Sequence, residues 1–219
     1  MNKPVFHKVL DHSLWLSADR CIYWEAERAL IVSDLHFGKT GHFRKEGIAV
    51  PQKVYKEDLQ RLVHQVQFFQ PKKLIIVGDM FHSKANKELE LFKRWRSDLF
   101  WLDIVLVKGN HDILDETWYT DTQVSVTGSS YSVSNFSFIH DIADCDSSTT
   151  DSYFFSGHIH PGVSIRGMGK QSMHLPCFYF TDTYCVLPAF SRFTGTYGVN
   201  PAKNENVFAI VENRVLQLQ

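Results

Sequence analysis

Four short polar segments of the chain carry residues that could bind metal ions. They are Asp34-Leu35-His36, Gly78-Asp79, Gly109-Asn110-His111-Asp112 and Gly157-His158-Ile159-His160. Carboxylate, carboxamide and imidazole ligands suit borderline divalent cations such as Mn²⁺, Fe²⁺ or Zn²⁺, whereas an all-oxygen set would suit Mg²⁺ or Ca²⁺. Together the segments could serve two ions that share one carboxylate. Two ions about 3.5–4 Å apart stabilise the attacking and leaving oxygens of a phosphoryl displacement, so the segments predict a hydrolase of phosphate esters.

Each of these segments follows directly on a short apolar run. Residues 30–33, 74–77 and 104–107 lack alternation, which favours strands that are buried on both faces. Aromatic runs at 136–139 and 153–156 lead in the same way into His140 and Gly157. This placement fits the rule that open α/β sheets bind ligands at the carboxyl ends of their strands.

The intervening segments predict the remaining elements. Near-helical spacing of apolar residues predicts amphipathic helices at about 54–69 and 91–100. Residues 14–16 and 21–24 predict a hairpin, and short turn-separated strands are expected beyond about residue 120, at 124–126, 131–133, 163–165, 184–187 and 207–211. The predicted fold class is α/β, with two mixed β-sheets packed as a sandwich flanked by helices. Because no segment resembles an interdomain linker, one domain over residues 1–219 is expected.

Composition and net charge argue against a membrane-spanning, secreted or generally DNA-coating protein. No apolar run approaches the roughly 20 residues of a membrane span, and the first residues lack the apolar stretch of a secretory signal. Four dispersed cysteines favour reduced thiols, and the expected location is cytoplasmic. The net charge of −1 argues against a generally basic, DNA-coating surface but permits a local basic groove.

The motifs resemble the calcineurin-like metallophosphoesterase superfamily, whose signature is D-x-H, G-D-x-x-H, G-N-H-D, a lone His and G-H-x-H. The match runs from about residue 30 to 160 and includes His82, three residues after Asp79. Seven side chains are then the expected metal ligands: Asp34, His36 and His160 for a first ion, Asn110, His140 and His158 for a second, and Asp79 as the bridge between both. The resemblance implies two divalent ions, with Mn²⁺ favoured and Fe²⁺ or Zn²⁺ as alternatives, and a bridging hydroxide that attacks phosphorus.

Three further residues are expected to assist catalysis. His111 would lie beside the scissile phosphate as a transition-state donor or a leaving-group acid, and Asp112 would orient it through its free ring nitrogen. His82 would be a second donor near the leaving oxygen, at a position similar to the catalytic histidine of SbcD-type repair nucleases.

A narrower resemblance concerns the substrate. The segments 33–39, 42–44, 47–51, 187–190 and 193–195 look like the bacterial ligase-associated branch, whose members are regarded as DNA repair phosphodiesterases. This implies a DNA endonuclease acting in repair, functional association with a DNA ligase, a helicase and an exonuclease, and Arg44 as a contact for the DNA backbone. Two alternatives stay open: a phosphomonoesterase acting on a small molecule or phosphoprotein, and a non-catalytic scaffold with the same fold.

Overall fold

A computed structural model describes residues 3–39, 53–81, 87–145, 152–167 and 172–219 of the chain. The strands of these residues form two β-sheets. Among the described residues, three α-helices follow strands of the first sheet along the chain: α1 (Lys53–Phe69), α2 (Lys87–Asp98) and α3 (Glu116–Asp121). A short 3₁₀ helix spans Ile142–Asp144. No helix in the described part of the chain combines the length and apolarity that a bilayer crossing requires.

In the first sheet, the strands lie side by side in the order in which they follow along the chain. They are β1 (Val5–Val9), β2 (His12–Ser17), β3 (Cys21–Trp24), β4 (Ala29–Ser33), β5 (Lys73–Val77), β6 (Asp103–Val107) and β7 (Val124–Thr127). Neighbours from β1 to β4 are antiparallel, whereas β4 to β7 are parallel. The change of direction places the carboxyl ends of β4, β5 and β6 side by side. The predicted hairpin at 14–16 and 21–24 is confirmed as the β2–β3 pair.

The second sheet comes from the later part of the chain. Its described strands are β8 (Ser130–Val133), β9 (Phe136–Ile139), β10 (Tyr153–Ser156), β11 (Pro161–Arg166), β12 (Ser172–Phe180), β13 (Tyr184–Val186), β14 (Tyr197–Gly198), β15 (Asn206–Val211) and β16 (Arg214–Gln217). β10 lies between β9 and β13 and is parallel to both. The carboxyl ends of β9 and β10 are therefore also adjacent.

Two apolar layers hold these elements together. Ala29 and Ile31 of β4 face the second sheet, where they join a cluster rich in buried phenylalanines such as Phe138. Leu30 and Val32 point the other way and pack with residues of all three helices. A strand with apolar side chains on both faces belongs in the middle of such a structure, which explains the uninterrupted apolar runs. The predicted sandwich of two mixed sheets with flanking helices is confirmed.

The sequence prediction differs from the structure in detail. The second helix begins at Lys87 and ends at Asp98, not near residue 100. Phe100, which the spacing placed on its buried face, follows in a turn and is 74% exposed. Strands β1, β12, β14 and β16 and the short α3 had no prediction.

Candidate metal centre

Three of the four ligand segments leave their strands with an unusual backbone: 34–36, 78–79 and 157–160. Five of the seven predicted ligands have φ in the left-handed region, between 48° and 64°: Asp34, His36, Asp79, His158 and His160. An L-residue pays roughly 1–2 kcal/mol for this conformation, so it persists only where the surrounding structure enforces it. Backbone hydrogen bonds do so here, from Asp34 N to Gly78 O (3.1 Å) and from His36 N to Asp79 O (2.9 Å). The first two ligand loops are thus held against each other.

Asp34, His36 and His160 form a first group of donor atoms. The ligand atoms of these three side chains all lie within 4.8 Å of one another. His160 Nε2 is 3.3 Å from Asp34 Oδ1 and 3.5 Å from His36 Nε2. Asp34 is fully buried, and its Oδ1 accepts no hydrogen bond from the described residues. A buried carboxylate oxygen without a donor is costly, and a cation at this position would remove the cost.

Asp79, Asn110, His140 and His158 form a second group around the His140 ring. His140 Nε2 lies 3.0 Å from Asn110 Oδ1, 3.4 Å from Asp79 Oδ1 and 3.3 Å from His158 Nδ1. The Asp34 carboxylate also lies within 4.8 Å of Asp79 and His140. Asp34 therefore belongs to both groups, with Asp79 beside it in the second, and the structure brings together all seven predicted ligands.

The orientation of the His140 ring favours metal binding. Its Nδ1 lies 3.2 Å from the carbonyl oxygen of Val77. A carbonyl oxygen only accepts hydrogen bonds, so Nδ1 carries a proton and donates it. This leaves Nε2 facing the second donor group, and such a contact between a ligand histidine and a backbone carbonyl is the usual way to fix ring orientation.

The two buried histidines of the site, His36 and His140, differ in pKa. Burial lowers the pKa of His36 to about 3, so its ring is neutral and its lone pairs are available to a cation. Burial also acts to lower the pKa of His140, but the hydrogen bond to Asp79 and the charges of Asp34 and Asp79 outweigh it and raise the pKa to about 9. Burial opposes ionisation of Asp79, yet His140 and the His111 N–H bring its pKa down to about 2.

Two glycines make room for this packing. Gly78 has φ of +77°, and a Cβ at this position would collide with the His140 ring. A Cβ on Gly109 would collide with the Asp79 carboxylate. Glycine is therefore required at these positions by close approach, and at Gly78 also by backbone conformation.

His111 lies at the open side of the centre. Its N–H donates to Asp79 Oδ1 at 2.9 Å, and its ring Nε2 is 4.0 Å from Asp79 Oδ2. The side chain is 43% exposed, whereas Asp34, Asp79 and His140 are buried. A half-exposed imidazole beside an expected metal ligand is placed where a substrate group could meet it.

Asp112 makes contacts other than the predicted one. Its Oδ1 accepts from the N–H groups of Met80 and Phe81 (2.8 and 3.2 Å), and its Oδ2 accepts from that of Gly109 (2.9 Å). All hydrogen bonds that the described residues donate to its side chain thus come from backbone, and none comes from the His111 ring. Burial raises the pKa of Asp112 to about 6, against the effect of these donors. Asp112 ties the loops after β5 and β6 together.

Residues 187–191 form a loop behind Asp34 and bind its backbone. The sequence pointed to this loop only through the family resemblance. Phe190 N donates to Ser33 O (2.8 Å) and Ser191 N to Asp34 O (3.2 Å). Arg61 of α1 holds this loop through the Phe190 carbonyl and lies over the Phe190 ring, 4.2 Å from its centroid. The Arg61 guanidinium is buried and paired with Asp58 at 2.9 Å.

A second, partly buried arginine contacts the same loop. Arg20 donates to the carbonyl oxygens of Ala189 (3.0 Å) and Ser191 (2.8 Å). No sequence signal singles out Arg20 or Arg61, because an arginine in a helix or turn is usually a surface residue.

The donor set fits divalent ions that accept mixed nitrogen and oxygen ligands. Imidazole, carboxylate and carboxamide side chains converge in two adjoining groups. The buried Oδ1 of Asp34 among them accepts no hydrogen bond from the described residues. His82 and Arg44, predicted as a donor and as a DNA contact, lie outside the described residues.

Comparison with known proteins places this geometry in a family. The family model of calcineurin-like phosphoesterases matches residues 27–179. Nuclease MPE of Pseudomonas putida has a similar solved structure, with 28% identity, a TM-score of 0.82, and coverage of 97% of this chain and 100% of that chain. The phosphoesterase Yfce of E. coli has 15% identity and a TM-score of 0.46, over 87% and 97% of the chains, and this likeness is too low to carry an argument.

Comparison with curated protein sequences gave no significant match. The family match nevertheless spans more than half of the chain, and it contains all seven residues of the two donor groups. The chain belongs to the calcineurin-like phosphoesterase family of metal-dependent enzymes.

Proposed function

We propose that the chain is a phosphodiesterase with a two-ion centre, and that it cleaves DNA as a repair endonuclease. The observation that carries this proposal is the likeness to a nuclease over 97% of the chain. The narrower motif resemblance to the ligase-associated branch favours DNA as the nucleic acid and repair as its context. Functional association with a DNA ligase, a helicase and an exonuclease is part of the same proposal.

The residues of the centre have distinct tasks in this reaction. Cations held by the two donor groups would acidify the attacking water and neutralise charge on the phosphoryl oxygens. Asp79 is proposed as the shared ligand, since its carboxylate lies beside Asp34 and His140 and its charge also acts on His36 of the first group. His111 would donate to a non-bridging or leaving oxygen of the substrate, because its ring is exposed at the mouth of the site.

The surroundings of the centre offer space for a phosphate backbone and two lysines near it. A cleft of about 560 Å³ adjoins the second donor group, and its lining includes one lysine and two aspartates: Lys108, Asp141 and Asp144. This volume lies within the range of sites for nucleotide-sized ligands. Lys39 lies near Asp34 and Asp79. Burial lowers the pKa of Lys39, and the charges of the two carboxylates act in the opposite direction. Arg44 remains a predicted contact for the DNA backbone.

One assay separates the candidate activities. With Mn²⁺, the enzyme is expected to cleave DNA and to hydrolyse bis-p-nitrophenyl phosphate faster than p-nitrophenyl phosphate, with less activity in Mg²⁺ because imidazole ligands disfavour that ion. His111→Ala is expected to impair all of these reactions, whereas His64→Ala, on an exposed face of α1, is the matched control. Intact single- and double-stranded DNA together with rapid monoester turnover would replace this proposal with a phosphomonoesterase, and no hydrolysis at all would favour a scaffold.

A further inference from the structure

Both ring nitrogens of His158 face polar groups. Nδ1 lies 3.3 Å from His140 Nε2 and so points into the second donor group. Nε2 points the opposite way, 3.6 Å from Asp141 Oδ2. Asp141 is the residue directly after the ligand His140, and none of the family motifs includes it.

The chemistry of a ligand imidazole requires a partner for its second nitrogen. A neutral ring offers one lone pair and carries its proton on the other nitrogen, so the hydrogen bond at that nitrogen selects which one binds the cation. At 3.6 Å the Nε2–Oδ2 separation exceeds the 2.7–3.2 Å typical of an N–H···O bond. The two atoms are nevertheless within the 4 Å of an ion-pair contact, and both side chains are partly exposed.

The Asp141 carboxylate is anchored by its other oxygen. Oδ1 accepts from the N–H of Ala143 at 2.9 Å and caps the short 3₁₀ helix Ile142–Asp144. Because one oxygen is held by the backbone, the other is presented to His158 in a fixed direction. An aspartate at such a cap position loses little rotamer freedom when it accepts a second hydrogen bond.

We propose that Asp141 is a positioning residue for His158: it holds the proton on Nε2, so that Nδ1 is the atom that binds the second cation. Two successive residues would then support the second ion. His140 would bind it directly, and Asp141 would orient another of its ligands, His158. The inference rests on the metal site of the proposed function but does not depend on the substrate.

Metal titration of three proteins tests this role. Isothermal titration with Mn²⁺ compares the wild type with Asp141→Asn and Asp144→Asn. Asparagine at 141 keeps an oxygen for the helix cap but loses the charge, and we expect second-site affinity to fall by about 10–100-fold with the first site unchanged. Asp144→Asn removes the same charge from the lining of the same cleft and is expected to leave both affinities as in the wild type.

A spectroscopic readout separates positioning from general stability. In Zn²⁺-loaded protein labelled with ¹⁵N, the His158 ring is expected to show a metal-bound Nδ1 and a protonated Nε2, and this pattern should weaken in Asp141→Asn. Equal second-site affinity in the wild type and Asp141→Asn would overturn the proposal, as would an equal loss in Asp144→Asn. A wild-type protein that binds one ion would instead overturn the two-ion centre itself.

Discussion

The side chains of His111 and His82 are expected to serve different oxygens of the substrate. A diester carries a single negative charge and a leaving group that needs protonation, so a positioned acid matters more for a diester than for an activated monoester. We predict that His82→Ala reduces hydrolysis of bis-p-nitrophenyl phosphate and DNA far more than that of p-nitrophenyl phosphate. Parallel rates on the three substrates measure this, with the exposed His64→Ala as control. Equal losses on mono- and diester would refute a leaving-group role for His82.

The proton on His140 makes metal binding depend on pH. The pKa of this ring is raised to about 9, since the hydrogen bond to Asp79 and the nearby carboxylates outweigh burial. Below pH 9 an incoming cation must therefore displace a proton, so affinity for the second ion should rise with pH between 7 and 8.5, by up to about tenfold per unit. His36, with a pKa of about 3, adds no such dependence. Calorimetry in buffers of different ionisation enthalpy should detect about one released proton, and no release would contradict the assignment.

Among single residues, the seven expected ligands converge in the structure and their binding of metal stays a prediction, whereas their supporting contacts were not predicted. Asp34, His140 and the other ligands stand in motifs whose spacing is specific. Asp112 stands in the same motifs, yet its carboxylate holds the backbone of Met80, Phe81 and Gly109. Such contacts depend on how two loops meet in space, and a motif does not contain that information.

At the scale of elements, the strands that precede the expected ligands were predicted from their apolar runs. Three of these apolar runs lead directly into a glycine or a left-handed residue: 30–33, 74–77 and 153–156. The end of α2 was predicted too late, because Phe100 continued the apolar spacing although it is exposed after the helix. Apolar periodicity does not distinguish a buried position from an exposed aromatic in the next turn.

The turn after β5 should tolerate no side chain at its glycine. We predict that Gly78→Ala lowers the free energy of unfolding by at least about 1 kcal/mol, from backbone strain and from the collision with His140. It should also weaken the second metal site, since His140 must move. Gly128→Ala is the control, because a Cβ there meets no described atom within 4 Å. Chemical denaturation and metal titration measure both effects, and equal behaviour of the two variants would contradict this account of the turn.

The loop behind Asp34 depends on helix α1. Arg61→Met leaves the buried Asp58 without its ion pair, and we expect a loss of about 3–5 kcal/mol in the free energy of unfolding. The loop should also hold Ser33 and Asp34 less firmly, which lowers affinity at the first metal site. The double variant with Asp58→Asn should cost less than the sum of the single changes, because it removes both charges. Additive losses would show that the two side chains do not act as a pair.

At the scale of the whole molecule, the two sheets meet so that five strands deliver their carboxyl ends to one edge. Residues far apart in the chain make this junction, such as Val77 with His140 and Asp34 with His158. Local pattern predicted the strands that precede the expected ligands but not these pairings, nor that β12 would pair in its second half with both β13 and β15. The order of helices and strands, together with the family resemblance, predicted the sandwich, whereas its individual cross-sheet contacts required the structure.

This edge of the molecule is expected to hold two divalent ions, one at each donor group. Anomalous diffraction from crystals soaked in Mn²⁺, measured at the manganese absorption edge, can locate them. We expect two anomalous peaks about 3.5–4 Å apart. One peak should contact Asp34, His36 and His160, and the other Asn110, His140 and His158, with Asp79 reaching both. A single peak, or a pair of peaks without Asp79 between them, would contradict this expectation.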